Sequence, residues 1–379
     1  MNCTPKSCRL ALLLLVGAIG FHADSVPADP LDHWTRTNVG TNVFLRGLAY
    51  GNGRFVAVGE GGAIFQSVDC LSWSRVQSAA VGSLRAIACG NGRFVVTEGS
   101  TYEKIQNILT SPDGTNWTRH SSPFPLNNIV FGRGLFVAVA LENALAGVST
   151  NGLDWNWQYL GSTFPLGIGM NDTLFMVAGN QTFTSPSGSN WVAGTRTFFT
   201  PSSIAYGNGT FVCVSLFPSY PSNPYTTTDG LEWTLWPAPG PIFSWGAVAF
   251  AHNTFVISGN TGVLLTSTTG TNWVERAPGQ FYNEVLPFVT YAQGRVIAVG
   301  GSGTVLVSDH YGPALVTIEK QADLRLKISA QKNKLCVIEQ STDFQNWTEL
   351  SRYTNSTETT EIGGIVASNS ATIFRVLTD

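Results

Sequence analysis

Between Asp24 and Gly312 the chain carries a single lysine, Lys104. Capture of nucleic acid or of an anionic membrane surface needs clustered basic side chains, so neither partner is expected. Charged residues make up only 12% of the whole, which excludes a polyampholyte tail or a set of solvated amphipathic helices. Metal-ligand spacing is missing as well. No C-x-x-C, H-x-H or H-E-x-x-H occurs, so no metal and no cofactor is predicted.

Cysteine is too scarce for a disulfide-built scaffold of this length. Of six, Cys3 and Cys8 fall in the first residues, leaving Cys70, Cys89, Cys213 and Cys336. Cys89 and Cys213 stand at apolar strand positions and read as small buried hydrophobes. Long apolar runs are absent too. The one run, LALLLLVGAIGF (Leu10–Phe21), is short for a bilayer span but suits a signal peptide behind Lys6 and Arg9. Cleavage after Gly20, Ala23 or Ala28 is expected, and residues 1–23 are taken as the leader. Loss of Lys6 and Arg9 from 21 basic residues leaves 19 against 24 acidic ones. The exported chain is therefore mildly acidic, secreted, periplasmic or at the cell surface, with no membrane insertion once the leader is removed.

What the chain has in abundance is glycine (40) and large rings (22 Phe, 11 Trp), the composition of many tight turns and anchored aromatics. These fall in repeats. LAYGNGRFVAVG (Leu48–Gly59) returns as IACGNGRFVVTE, IVFGRGLFVAVA, IGMNDTLFMVAG, IAYGNGTFVCVS, VAFAHNTFVISG and VTYAQGRVIAVG. The residue after the aromatic-type position is Gly51, Gly90, Gly132, Asn171, Gly207, Ala251 and Ala292. A β-rich unit repeating about every forty residues is the signature of propeller blades. Within a unit, GLAY is strand a, RFVAVG strand b, AIFQS strand c and SWSRV strand d, the first two apolar on both faces and the last polar on the rim.

Between strands c and d lies a second motif, as in SPDGTNW (Ser111–Trp117), TTDGLEW and STTGTNW. The hydroxyl opens the turn, the next polar residue accepts backbone N–H groups, Gly supplies positive φ, and Trp returns between the blades. The acid is Asp69, Asp113 and Asp229 in three units but Asn151, Ser187 and Thr269 in three others, while Trp persists at 73, 117, 155, 191, 233 and 273. A metal site does not exchange carboxylate for hydroxyl so freely; a turn does. The motif is read as a structural staple.

The seventh unit breaks off after TVLVSDHYG (Thr304–Gly312), while the expected mature N-terminus carries LDHWTRT with an unpaired Trp34. Residues 33–37 are predicted to supply strand d of the last blade and close the ring. His33 and His310 would then meet at the closure, through hydrogen bonding rather than a metal. The predicted class is all-β: a seven-bladed β-propeller over 32–312, closed by an N-terminal strand.

These S-x-D-G-x-x-W turns resemble the Asp-box (BNR-like) repeats of sialidases and of propellers of the photosystem II stability and assembly factor type, one residue shorter than the usual S-x-D-x-G-x-x-W. The resemblance implies the propeller fold and no single activity, since such turns are scaffold elements. No Arg is followed by Ile-Pro, so the motif carrying the first arginine of a sialidase triad is missing. Past Ala314, DLRLKIS, LCVIEQSTDFQNWTEL and TIFRVL resemble a small β-sandwich at the C-termini of exported bacterial proteins, assigned to 314–379 and implying attachment or sorting.

Alignment of the units places Arg46, Arg85 and Asn127 just before strand a of blades 1–3, and Leu166, Ser202, Gly246 and Pro287 in blades 4–7. Glu60, Glu98 and Glu142 fall just after strand b, near Tyr102, Glu103 and Lys104. All belong to loops on the face opposite the staple turns, converging on the channel mouth. They read as a polar pocket, or as loop charges that pair with one another. Trp245 and Tyr282, with Phe243, could form a stacking platform for a sugar ring or simply pack their loops. No catalytic residue is assigned. The function expected is a non-catalytic scaffold that recognises a protein or carbohydrate ligand, with a glycan hydrolase or lyase at the channel mouth as the alternative.

Overall fold

A computed structural model describes residues 29–310, apart from 101–104, 141–143, 162–165, 197–200, 216–222, 238–244, 260–261 and 277–283, and six further strands between 315 and 378. Seven four-stranded antiparallel sheets account for the first part. Blade 1 is typical: strands a to d are Leu45–Gly51, Arg54–Gly59, Ile64–Ser67 and Ser74–Val76, each paired with the next. The protein is a seven-bladed β-propeller.

Strand b carries the mass of the core. A buried phenylalanine stands at its start in six blades, Phe55, Phe94, Phe136, Phe175, Phe211 and Phe255, and Val296 takes the place in the seventh. Burying a ring of this size contributes roughly 2–3 kcal/mol from the water it releases. Seven apolar clusters fill the seven gaps between neighbouring blades; the one that joins blade 7 to blade 1 unites Ile297, Val299 and Val305 with Leu48, Phe55 and Phe65. The staple tryptophans contribute less than the sequence suggests. Trp273 is buried, but Trp73, Trp117, Trp155, Trp191 and Trp233 are half-buried, because strand d is the outer edge of each sheet and one ring face meets water.

The staple turns have one geometry with interchangeable chemistry. In blade 1, Ser67 Oγ accepts from Cys70 N at 2.9 Å, and Asp69 Oδ1 accepts from Leu71 N and Ser72 N at 2.9 Å each. Asn151 makes the same two bonds to Leu153 N and Asp154 N. Thr269 Oγ1 reaches its two amides only at 3.3 and 3.5 Å. In four of the turns the indole N–H then donates to the carbonyl three residues back, from Trp73 to Cys70, Trp117 to Gly114, Trp155 to Gly152 and Trp273 to Gly270, whereas Trp233 donates to Thr182 Oγ1. Glycine suits the positive φ of +74° at Gly114 and +79° at Gly270, although blade 1 holds a buried cysteine there, Cys70 at φ 65°.

The ring closes as the broken repeat predicts. Trp34–Asn38 pairs antiparallel with Thr304–Ser308 as strand d of blade 7. Trp34 Nε1 donates to Leu31 O at 2.8 Å, so the N-terminal segment reproduces the staple, with Leu31 in the place of the glycine. Leu31 is buried in the cluster between blades 6 and 7. Arg276, on strand d of blade 6, holds both Asp29 and Asp32, and Arg36 holds Glu284. His310 is buried against Gly294 while His33 is exposed, and the closure bond there is backbone, from Asp309 N to His33 O.

Of the remaining cysteines, Cys213 is buried as expected, but Cys89 is half-buried because it stands on the innermost strand beside the central channel. Burial pushes the Cys89 thiol up to about 11. Past residue 314 the described strands form two three-stranded sheets. No helix among the described residues is long and apolar enough to cross a membrane.

Candidate functional site

The seven innermost strands enclose a central cavity of about 950 Å³. In a propeller strand a pairs only with strand b, so its other edge faces the axis. The residues the alignment put just before strand a all line this cavity: Arg46, Arg85 and Asn127 on one side, Leu166, Ser202, Gly246 and Pro287 on the other. Polar groups are therefore gathered on one side of the mouth.

A local irregularity aims them. In blades 1, 2, 3, 5 and 6 the pairing of strands a and b slips by one residue, between Leu45 and Gly47 in blade 1 and between Leu84 and Ala86 in blade 2. The extra residue is Arg46 in the one and Arg85 in the other, with Asn127, Ser202 and Gly246 in the rest. A β-bulge redirects the side chain it carries. Pattern reading found the residues but not the bulge, whose only sequence trace is one residue more than strict alternation allows.

At the mouth Arg46 reaches Glu60 at 2.6 Å and covers the Phe44 ring, with Glu60 on the short turn Glu60–Gly62. Both partners are more than a third exposed, so solvent screens the pair. Arg85 Nε donates to Gly99 O at 2.6 Å. Ser202 Oγ and Asn128 Nδ2 donate to the carbonyls of Gly246 and Leu166, tying neighbouring blades at the rim.

Glu98 is not at the mouth. Strand b of blade 2 continues to Ser100, so Glu98 lies within the sheet opposite Leu84 and is fully buried. Its carboxylate accepts from Val81 N and Gly82 N at 2.5 Å each and from Asn107 Nδ2 at 2.8 Å. It pins the loop that leads into Arg85 and is closed to ligand. Trp245 is the first residue of strand a of blade 6, in register with the buried Leu45 and Leu84, rather than part of the preceding loop. Tyr102, Glu103, Lys104, Glu142, Phe243 and Tyr282 lie outside the described residues. Trp157 stacks on Trp155 and meets Phe124 edge-on, and Trp236 Nε1 donates to Thr226, so both have structural partners.

The opposite end of the cavity has another character. Strand a ends there in Tyr50, Phe131, Tyr206, Phe250 and Tyr291, all only partly buried and all lining the cavity. Cys89 and Met170 hold the same register in blades 2 and 4. The cavity wall carries no carboxylate or imidazole among the described residues, and none of these holds a cluster of metal-ligating side chains.

No protein-family model matches the chain, and no curated protein does. Solved structures match the propeller. A virginiamycin B lyase from Staphylococcus aureus is 12% identical with a TM-score of 0.64, covering 73% of this chain and 98% of the other. YCF48 from Cyanidioschyzon merolae is 14% identical with a TM-score of 0.58 over the same shares. YCF48 bound to a D1 peptide is 12% identical, with a TM-score of 0.57, over 75% and 98%. At such identities the likeness establishes the fold and leaves the activity open.

Proposed function

We propose that this is an exported, non-catalytic recognition propeller of the Asp-box type that binds an acidic protein segment at the Arg46–Arg85 mouth. The observation that carries the reading is the set of β-bulges that turn Arg46, Arg85, Asn127 and Ser202 into the cavity mouth. Two guanidinium groups beside neutral hydrogen-bonding side chains suit carboxylates, which Arg takes in a bidentate fork. A cavity wall without carboxylate or imidazole among the described residues supports recognition over glycan hydrolysis, which uses a carboxylate pair. A structural neighbour, YCF48, is known with a bound peptide, which shows that a propeller of this shape can serve a peptide ligand. Export follows from the leader at residues 1–23, and residues 314–379 form the second domain, of attachment or sorting type.

The test is fluorescence anisotropy with labelled acidic and neutral peptides of matched length on the protein from residue 24 onward. Acidic peptides should bind with an affinity that falls with salt, and R46A/R85A should weaken it at least ten-fold. Glu60→Gln should tighten it, because Glu60 competes for Arg46. Equal binding of neutral peptides, or turnover of a glycan in a parallel hydrolysis screen, overturns the reading. Export and the leader are checked by N-terminal sequencing of the secreted protein.

A further inference from the structure

The end of the channel away from the arginines has no role in that reading, yet it is built with more regularity than the mouth. The same register position of strand a carries Tyr50, Phe131, Tyr206, Phe250 and Tyr291. Buried rings would need no explanation. These are only partly buried in every case, and they line the cavity.

Their orientation is fixed from two sides. Tyr50, Phe131, Tyr206 and Phe250 each lean on the strand-b phenylalanine opposite, with ring centroids 4.6–4.7 Å apart. Behind Phe131 and Phe250 lies the backbone of the preceding blade: a Cβ on Gly90 would sit 2.1 Å from the Phe131 ring, and one on Gly207 would sit 2.2 Å from the Phe250 ring. What remains exposed of each ring lines the channel. Such rings are preorganised and lose little freedom on binding.

Polar tips accompany the rings. The Tyr50 and Tyr206 hydroxyls donate to no described residue, Tyr291 Oη lies 2.6 Å from His252 Nε2, and the exposed Gln293 lines the same cavity on the hairpin that follows. Since Gln293 is on the staple-turn face and Arg46 on the other, the cavity reaches both faces. Charge is absent from this end of the lining. Arg133, on an adjacent hairpin, donates to Pro186 O and lies over the Phe175 ring.

We propose that this aromatic annulus is a second binding site, for a neutral carbohydrate ring. A pyranose has an apolar face and a rim of hydroxyls. It matches rings set beside phenol and amide groups, whereas a hydrocarbon would leave those polar tips unpaired. The lining at this end offers a charged sugar no counter-ion. The site is independent of the arginine mouth.

Maltotriose, cellotriose, xylotriose and N,N′,N″-triacetylchitotriose serve as probes, read by saturation-transfer NMR and titration calorimetry on the protein from residue 24 onward. At least one should bind. Y50A/Y206A should lose it ten-fold or more, Y50F/Y206F should lose a few-fold through the missing hydroxyls, and R46A/R85A should leave it unchanged. Failure of all four sugars to bind overturns the proposal. So does unchanged affinity in Y50F/Y206F, which keeps the rings and decides the matter if the alanine pair does not fold. Sugar binding that depends on the arginines would move the site to the other mouth and likewise overturn it, whereas failure of acidic peptides to bind would leave it standing.

Discussion

Trp34 stands opposite Ser308 across the last sheet, and its indole N–H reaches Leu31 O at 2.8 Å, the same bond that Trp73 makes to Cys70 O. One strand taken from the start of the chain thereby finishes a sheet made at the end of the propeller. Trp34→Ala should cost about 2 kcal/mol, below the 3–5 typical of a fully buried aromatic because Trp34 is half-buried. Urea denaturation followed by tryptophan fluorescence measures it. Deletion of residues 24–38 should cost far more and expose the edge of Thr304–Ser308 to aggregation. A deletion variant that stays monomeric and melts like the parent would refute the closure.

The staple acids set a pH dependence. Backbone hydrogen bonds from Asn116 and Leu231 hold Asp113 and Asp229 below the usual carboxylate range. For Asp69, burial pushes upward but is outweighed by the amides of Ser72 and Leu71. A carboxyl with a depressed folded-state value gives stability that is complete above its unfolded value, about 3.9, and lost as pH falls through the folded one. Thermal melts should therefore fall below about pH 4. Asp113→Asn should keep the turn, as Asn151 does, and flatten that fall, while Asp113→Ala should cost about 1 kcal/mol at pH 7.

Blade 6 offers the converse. Thr269 meets its two amides at 3.3 and 3.5 Å where Asp69 meets its own at 2.9 Å. Thr269→Asp should raise stability by about 0.5–1 kcal/mol at pH 7 and lose the gain in acid. Differential scanning calorimetry at both pH values reads it.

Two glycines of neighbouring blades, one in a hairpin and one at a strand end, should respond differently to one methyl group. Gly53 has φ +78° and open space around it, so Gly53→Ala should cost about 1 kcal/mol from backbone strain alone. Gly90 is extended but covered by the Phe131 ring, so Gly90→Ala should cost about 2–3 kcal/mol by overpacking. Equal costs in chemical denaturation would show that Phe131 can move aside.

The repeat made the blades legible, since a forty-residue period and four apolar-patterned strands leave few alternatives, and even the closing strand could be inferred from one tryptophan too many. Side-chain placement was harder. Glu98 and Glu60 look alike in sequence, each just past a strand-b core. Glu98 in fact takes the register of Gly59, the last residue of strand b, while Glu60 lies one position further on the turn, a single step that separates a buried carboxylate from an exposed one. Arg46 and Arg85 were found by alignment, but what aims them is a slip in pairing that only a partner strand can define. The staple tryptophans were overrated for a related reason: their spacing states that they return to the sheet, not that the sheet ends there. The five rings at the far end of the channel were visible as a repeated letter, and their exposure depends on where seven strands converge.

Closing the ring with its first strand has a kinetic price. Arg36 and Thr304, hydrogen-bonded across the closure, are 268 positions apart in sequence. Until residue 308 has been made, the segment around Trp34 has no partner strand. Pairings of such separation form late, because the chain between must first be confined. A permuted chain that begins at Leu45 and carries residues 29–44 after residue 310 would turn the latest contact into a local hairpin. It should refold faster than the parent and reach the same ring.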